Sequence, residues 1–125
     1  MRAKGYGAAI LAAALAGTTA FAQDAPPPRL ATPLRLLGNP ATWVTQYDYP
    51  AMARRAGEHG TTVFRLDIDA DGKVTNCTVV VSSGSAILDR TTCRLLLKRA
   101  HFAPAQDGYG RNIPATYTNR FNWML

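Results

Sequence analysis

A chain of 125 residues with two cysteines and a formal net charge of +6 holds one domain at most and is only modestly basic. Its only adjacent basic pairs, Arg54-Arg55 and Lys98-Arg99, have no aromatic residues interleaved with them. The charge therefore reads as solvated helix faces, and nucleic acid is not an expected partner.

Arg2 and Lys4 precede an apolar run from Ala8 to Ala16, and Ala20-Phe21-Ala22 then forms an A-x-A pattern before Gln23. Residues 1–22 are read as a secretory signal peptide cleaved between Ala22 and Gln23. The run falls short of the ~20 residues of a spanning helix. An exported chain with an even cysteine count implies a disulfide, and Cys77 with Cys93 is the one pairing available.

Residues 23–47 read as a proline-containing tether and irregular lead-in. Pro26-Pro27-Pro28 is stiff and extended, and the stretch from Gly38 to Tyr47 carries Trp43 and Val44. A tryptophan there is expected to drape over the domain. The compact domain is placed at residues 48–125.

Pro50 suits the first position of a short helix ending near Gly57 or Gly60, with Ala51, Met52 and Ala56 as its apolar residues. Thr61 to Asp69 alternates, with Phe64, Leu66 and Ile68 on one face, and Val74 to Ser82 places Cys77, Val79 and Val81 together. Asp71-Gly72 between these runs marks a hairpin. Ser85 is a plausible N-cap for a helix from Ala86 to Ala100, with Asp89 favoured near its start. Its apolar stripe is Cys93, Leu96, Leu97 and Ala100, widened by Leu88 and Leu95. His101 to Pro104 ends it, and Ala105 to Arg111 is a loop. Asn112 to Trp123 is the last strand. Ile113, Ala115, Tyr117, Phe121 and Trp123 lie on one face, interrupted by Asn119, and Pro114 argues for a sheet edge.

The order helix, strand, strand, helix, strand permits a crossover or an antiparallel return. Two layers are the expected solution, a three-stranded sheet with both helices on one face. The class is α+β, with Cys77 and Cys93 clipping the layers.

Asp67-x-Asp69-x-Asp71-Gly72 begins like a calcium loop, yet the twelfth position is Thr78 and the flanks are strands, so an Asp-rich turn is the reading. His59 and His101 lack zinc spacing. Ser82-Ser83-Gly84-Ser85 has no Gly-x-Ser-x-Gly frame and reads as a loop with a cap. Asn76-Cys77-Thr78 fits a glycosylation acceptor formally, in a strand. No metal, cofactor or catalytic residue is expected.

Several motifs then fall in a telling order: Tyr49-Pro50 before Ala53, Gly57 and Gly60, Val63 to Ile68, Asp71-Gly72-Lys73-Val74, Ser82-Ser83-Gly84, Leu88-Asp89, Arg99 to Pro104, and Gly110. This set, over Tyr49 to Trp123, resembles the carboxy-terminal domain of the TonB family. The cysteine pair looks like a variant of some exported members. The resemblance implies an antiparallel sheet carrying two helices, in a periplasmic module that binds partners. It also implies that the final strand's edge pairs with a short extended segment, the TonB box, of an outer-membrane transporter. The stretch carried over is Ile113 to Phe121, giving Ile113, Ala115, Thr116, Tyr117, Thr118, Asn119, Arg120 and Phe121 as partner-binding residues. Full-length transducers of the family add an uncleaved inner-membrane helix and a long proline-rich spacer. Here the apolar segment lacks the polar histidine expected for motor coupling, and the ~25 residues between Ala22 and Asp48 span under ~90 Å fully extended.

The expectation is therefore a non-enzymatic, periplasmic module that captures a segment of an outer-membrane transporter or other envelope protein by strand addition. One rival is an energy transducer held in the inner membrane by an uncleaved N-terminus. Another is a self-associating structural envelope domain, a homodimer through its open edge.

Overall fold

The structure, a computed structural model, describes residues 30–125. The expected signal peptide and the triple proline lie outside the described residues. In chain order the elements are β1 (Arg35–Leu37), α1 (Ala51–Arg55), β2 (Gly60–Ile68), β3 (Val74–Val81), α2 (Ala86–Arg99), β4 (His101–Ala103), β5 (Ala105–Gln106), β6 (Asn112–Ile113) and β7 (Ala115–Trp123).

The main sheet is antiparallel throughout and has the order β3-β2-β7. The central strand β2 alternates as its sequence requires, so Phe64, Leu66 and Ile68 are buried with Thr62 beneath the helices. Polar side chains such as Arg65, Thr116, Thr118 and Arg120 cover the other, solvated face. Helix α2 and Ala53 of α1 share one core with the inner face, together with Leu88, Leu95, Leu96, Phe102 and Trp123. The expected two-layer α+β arrangement is present, and it takes the antiparallel return.

The hairpin between β2 and β3 is built by Asp69. Its backbone N–H donates to Lys73 O at 2.9 Å, and its Oδ1 accepts from the N–H groups of Asp71 and Lys73, each at 2.9 Å. The Asp-rich segment is thus used in making the turn. Gly72 has φ 86° and its Cα faces β4 so closely that an added Cβ would overlap Phe102 O.

Several local expectations are corrected. Pro50 is the N-cap of α1, with extended ψ of 134°, and the helix makes little more than one turn. So short a helix covers one residue only: Ala53 is buried, while Met52 is 66% exposed and Ala51 and Ala56 also face solvent. In β3 the register shifts by one residue between the pairs Phe64↔Val79 and Val63↔Val81. This bulge turns Val81 to the opposite face from Cys77 and Val79. The buried stripe of α2 runs through Leu88, Thr92, Leu95 and Leu96, and Leu97 is outside at 46% exposure. Thr92, which the expected apolar stripe does not include, is buried; its hydroxyl donates to Leu88 O at 2.8 Å and accepts from the Trp123 indole. Cys93 flanks the stripe and reaches β3 through the Cys77–Cys93 disulfide, whose Cα atoms are 5.5 Å apart.

The lead-in is more structured than expected. Arg35–Leu37 pairs antiparallel with His101–Ala103, which forms a strand directly after α2. Trp43 and Val44 enter the core, with the Trp43 ring 5.4 Å from that of Phe102. The stretch expected to be a loop from Ala105 to Arg111 begins with β5, which pairs with β6 in a small ladder, Ala105↔Ile113 and Gln106↔Asn112. Asp107 closes its turn by accepting from the backbone of Tyr109 and Arg111.

Candidate functional site at the edge of the last strand

The stretch expected to be a single final strand is divided by Pro114. Ile113 belongs to β6 and pairs with Ala105, away from the main sheet, whereas Ala115, Thr116, Tyr117, Thr118, Asn119, Arg120 and Phe121 all lie on β7. Pro114 lacks the N–H that would carry a ladder through this point. β7 pairs along its whole length with β2, from Gly60↔Trp123 to Ile68↔Ala115. It has no second strand neighbour among the described residues.

Which backbone groups face that open side follows from three bonds. Gln46 Nε2 donates to Asn122 O at 2.9 Å, Gln46 Oε1 accepts from Met124 N at 3.2 Å, and Arg120 N donates to Asn119 Oδ1 at 2.8 Å. All three backbone groups belong to even-numbered residues and point away from β2. In an antiparallel ladder these groups alternate with period two. The N–H and C=O of Thr116 and Thr118 therefore face the open side as well. The Gln46 carboxamide closes the C-terminal end of the edge, and Asn119 satisfies one donor midway.

Gln46 is held there by a chain of charged contacts. Arg99 makes two bonds to Asp48, at 2.9 and 3.0 Å, and a third to Trp43 O at 3.1 Å. Asp48 in turn accepts from Thr45 N at 2.9 Å, closing the 3-10 turn Gln46–Asp48. The Arg99 guanidinium holds the Asp48 carboxyl below its ordinary pKa, against the smaller opposing effect of burial. The end of α2 thereby fixes the lead-in beside the last strand.

A second anchor lies behind the sheet. Asp89 accepts from Thr62 Oγ1 at 2.8 Å, from Ser83 N at 2.9 Å, from Ser83 Oγ at 2.8 Å and from Ser82 Oγ. Burial alone would raise its pKa, but the bonds from Ser82, Ser83 and Thr62 outweigh it, and the carboxyl sits below the ordinary value. The serine loop is therefore a docked strand-to-helix connection, and Ser85 caps α2 by accepting from Leu88 N at 3.2 Å. Gly60, with φ 140°, lies so near Ser83 that an added Cβ would overlap its carbonyl oxygen.

Other sequence candidates stand apart from the edge. His59 Nδ1 is 3.1 Å from Gly57 O, and His101 is an exposed residue of β4. Among the described residues no three His, Cys, Asp or Glu side chains gather as a metal site, and no helix is long and apolar enough to cross a membrane. The Gln46 clasp and the Asp89 network escaped the sequence. A lone glutamine in a loop carries no signal of what lies opposite it 76 residues later.

This geometry defines a small α+β domain whose main sheet ends in β3 on one side and in the edge strand β7 on the other, stapled by a disulfide. The sequence matches the family model for the Gram-negative bacterial TonB protein C-terminal over residues 45–125, and the chain belongs to that family. It is 36% identical over 85 residues to Protein TonB of Pseudomonas putida, covering 64% of this chain and 35% of that protein. It is 38% identical over 72 residues to Protein tonB2 of Pseudomonas aeruginosa, covering 58% of this chain and 24% of that protein. The match thus spans about a third of the former's length and about a quarter of the latter's. In fold it is similar to the solution structure of the Pseudomonas aeruginosa TonB C-terminal domain, with a TM-score of 0.52 and 24% identity over 74% of this chain and 86% of that one.

The family motifs are the residues that tie these pieces together. Tyr49 stacks edge-on against Trp123 at 5.2 Å and bonds to Glu58 O. Gly60, Ser82, Ser83 and Asp89 lock β2 to the start of α2, and Gly72 with Phe102 locks the hairpin to β4.

Proposed function

We propose that this protein is a non-enzymatic partner-binding module of the periplasm. In this reading residues 1–22 direct export and are removed before Gln23, and residues 48–125 form the binding domain with the lead-in packed on it. The module takes up an extended segment of an outer-membrane transporter or another envelope protein as an added strand along β7. What carries the reading is the row of outward backbone groups at Thr116 and Thr118, which have no strand partner among the described residues. Backbone hydrogen bonds supply affinity in such pairing, and alternate side chains supply selection. Thr116, Thr118 and Arg120 would meet the added strand on the solvated face.

Thr118→Pro tests this directly. The outward N–H of Thr118 takes no part in the ladder with β2, so its removal leaves the main sheet paired while deleting a donor on the open side. Capture of envelope proteins, and of a synthetic TonB-box peptide, is expected to fall sharply with the circular dichroism spectrum unchanged. Undiminished capture by the folded variant would sink the strand-addition reading.

A further inference from the structure

Beside the open edge is a small blind pocket of about 60 Å³. Its rim is exposed and consists of Pro40 from the lead-in together with Asn119 and Arg120 from β7. Its floor is buried and apolar, formed by Val44, Phe64 and Leu96. The mouth thus sits at the strand edge, and the bottom reaches the core.

The geometry points to a size-selective subsite: a strand added along β7 inserts one small apolar side chain, of alanine, proline or valine size, into the pocket bounded by Pro40 and Val44. The inference rests on the strand-addition reading given above.

Odd-numbered residues of β7 direct their side chains to the inner face, and a residue on an added strand opposite Asn119 directs its own to that same face. Adjacent strands lie about 4.8 Å apart. That residue's side chain consequently stands over the mouth, whereas its two chain neighbours point to the solvated face. Asn119 lines the mouth with a polar side chain that donates to the Tyr117 hydroxyl at 2.7 Å and accepts from the outward Arg120 N–H. It is the one residue that breaks the apolar alternation of β7, and an aliphatic side chain there would crowd the opening.

Volume sets the selection. An apolar cavity of about 150 Å³ accommodates benzene, so about 60 Å³ admits two or three carbon atoms and no aromatic ring. Covering the pocket's apolar floor gains the transfer energy of those carbons, and overfilling it displaces packed side chains. Three lining residues of the pocket, Pro40, Trp43 and Val44, precede residue 45, where the family match begins. The lead-in would therefore contribute to selection.

The test selects short random peptides displayed on phage against the full chain, in parallel with Thr118→Pro, Val44→Ala and Pro40→Ala. Peptides lost in Thr118→Pro report edge pairing. Among them one position is expected to be restricted to Ala, Val, Pro or Thr, with Phe or Trp there weakening binding by about tenfold or more. Val44→Ala deepens the pocket and should shift that position toward Leu, Ile and Met. Pro40→Ala, at an exposed site that tolerates change, should relax the restriction at the rim. Edge-dependent peptides with no size restriction, or with one that neither variant alters, overturn the subsite. A complete absence of peptides sensitive to Thr118→Pro overturns strand addition itself, and the subsite with it.

Discussion

The indole N–H of Trp123 donates to the buried hydroxyl of Thr92 at 2.9 Å, joining the last residue of β7 to the middle of α2. The same hydroxyl donates to Leu88 O. One threonine thus satisfies a helix carbonyl and a fully buried tryptophan, and it fixes the edge strand to the layer behind it.

Removing this bond from the helix side should be costly. Thr92→Val preserves shape but leaves the indole N–H unpaired in the core, a loss of about 1–3 kcal/mol. Trp123→Phe should lower stability too, and the double variant should cost less than the sum of the two, because the orphaned donor is gone. Urea denaturation of the four proteins gives the coupling, and strict additivity would refute the bond's role.

The Cys77–Cys93 bridge closes a loop with a sequence separation of 16 between strand and helix. Reduction, or paired substitution by serine, should lower stability by about 3 kcal/mol in the chain-entropy model. The bridge lies at β3, across the sheet from β7. Peptide capture below the unfolding transition is therefore expected to persist, as denaturation curves and binding measured with and without reductant will show.

Acid should weaken the domain through Asp89 and Asp48. Both carboxyls have folded pKa values below the ordinary one. A depressed folded pKa contributes stability that is fully present above the unfolded value of about 3.9 and is lost as pH falls through the lower folded value. Stability should be level near pH 6 and decline below about pH 4. Asp89→Asn, which loses acceptor capacity toward Thr62, Ser82 and Ser83, should cost about 1–3 kcal/mol at neutral pH and flatten part of the acid decline. Denaturation midpoints across that range decide the point.

Gly60→Ala probes the joint between β2 and the serine loop. The substitution combines a positive φ with overlap against Ser83 O, and a loss of about 1–3 kcal/mol or more is expected. Faster amide hydrogen exchange at Ser83 should accompany it, because its N–H bond to Asp89 is the first to loosen. Unchanged exchange there would mean the loop is held by other contacts.

Elements whose cause is local were legible in the sequence. The alternation of β2 and β7, the Asp-Gly hairpin and the Ser85 cap follow from neighbours a few residues apart, the cysteine pair follows from there being only two cysteines, and the ordered motifs carried the family. Expectations failed where a distant partner decided the outcome. Thr92 is buried because Trp123 arrives to use its hydroxyl, and α2 is rotated accordingly, leaving Leu97 in solvent. Val81 changes faces because a bulge forms against β2. Trp43 was expected to cover the domain, but no pattern foretold that Arg35–Leu37 would pair with His101–Ala103.

The last strand shows the division clearly. Period-two chemistry and Pro114 alone determined that Ala115 to Trp123 has an apolar and a polar face and favours an edge, because side-chain alternation is a property of the backbone. Tertiary structure decided how much of that edge is open. Arg99 pins Asp48, Asp48 shapes the turn that carries Gln46, and Gln46 covers the strand's end. Those contacts join residues far apart in the chain and exist only once the core has brought them together.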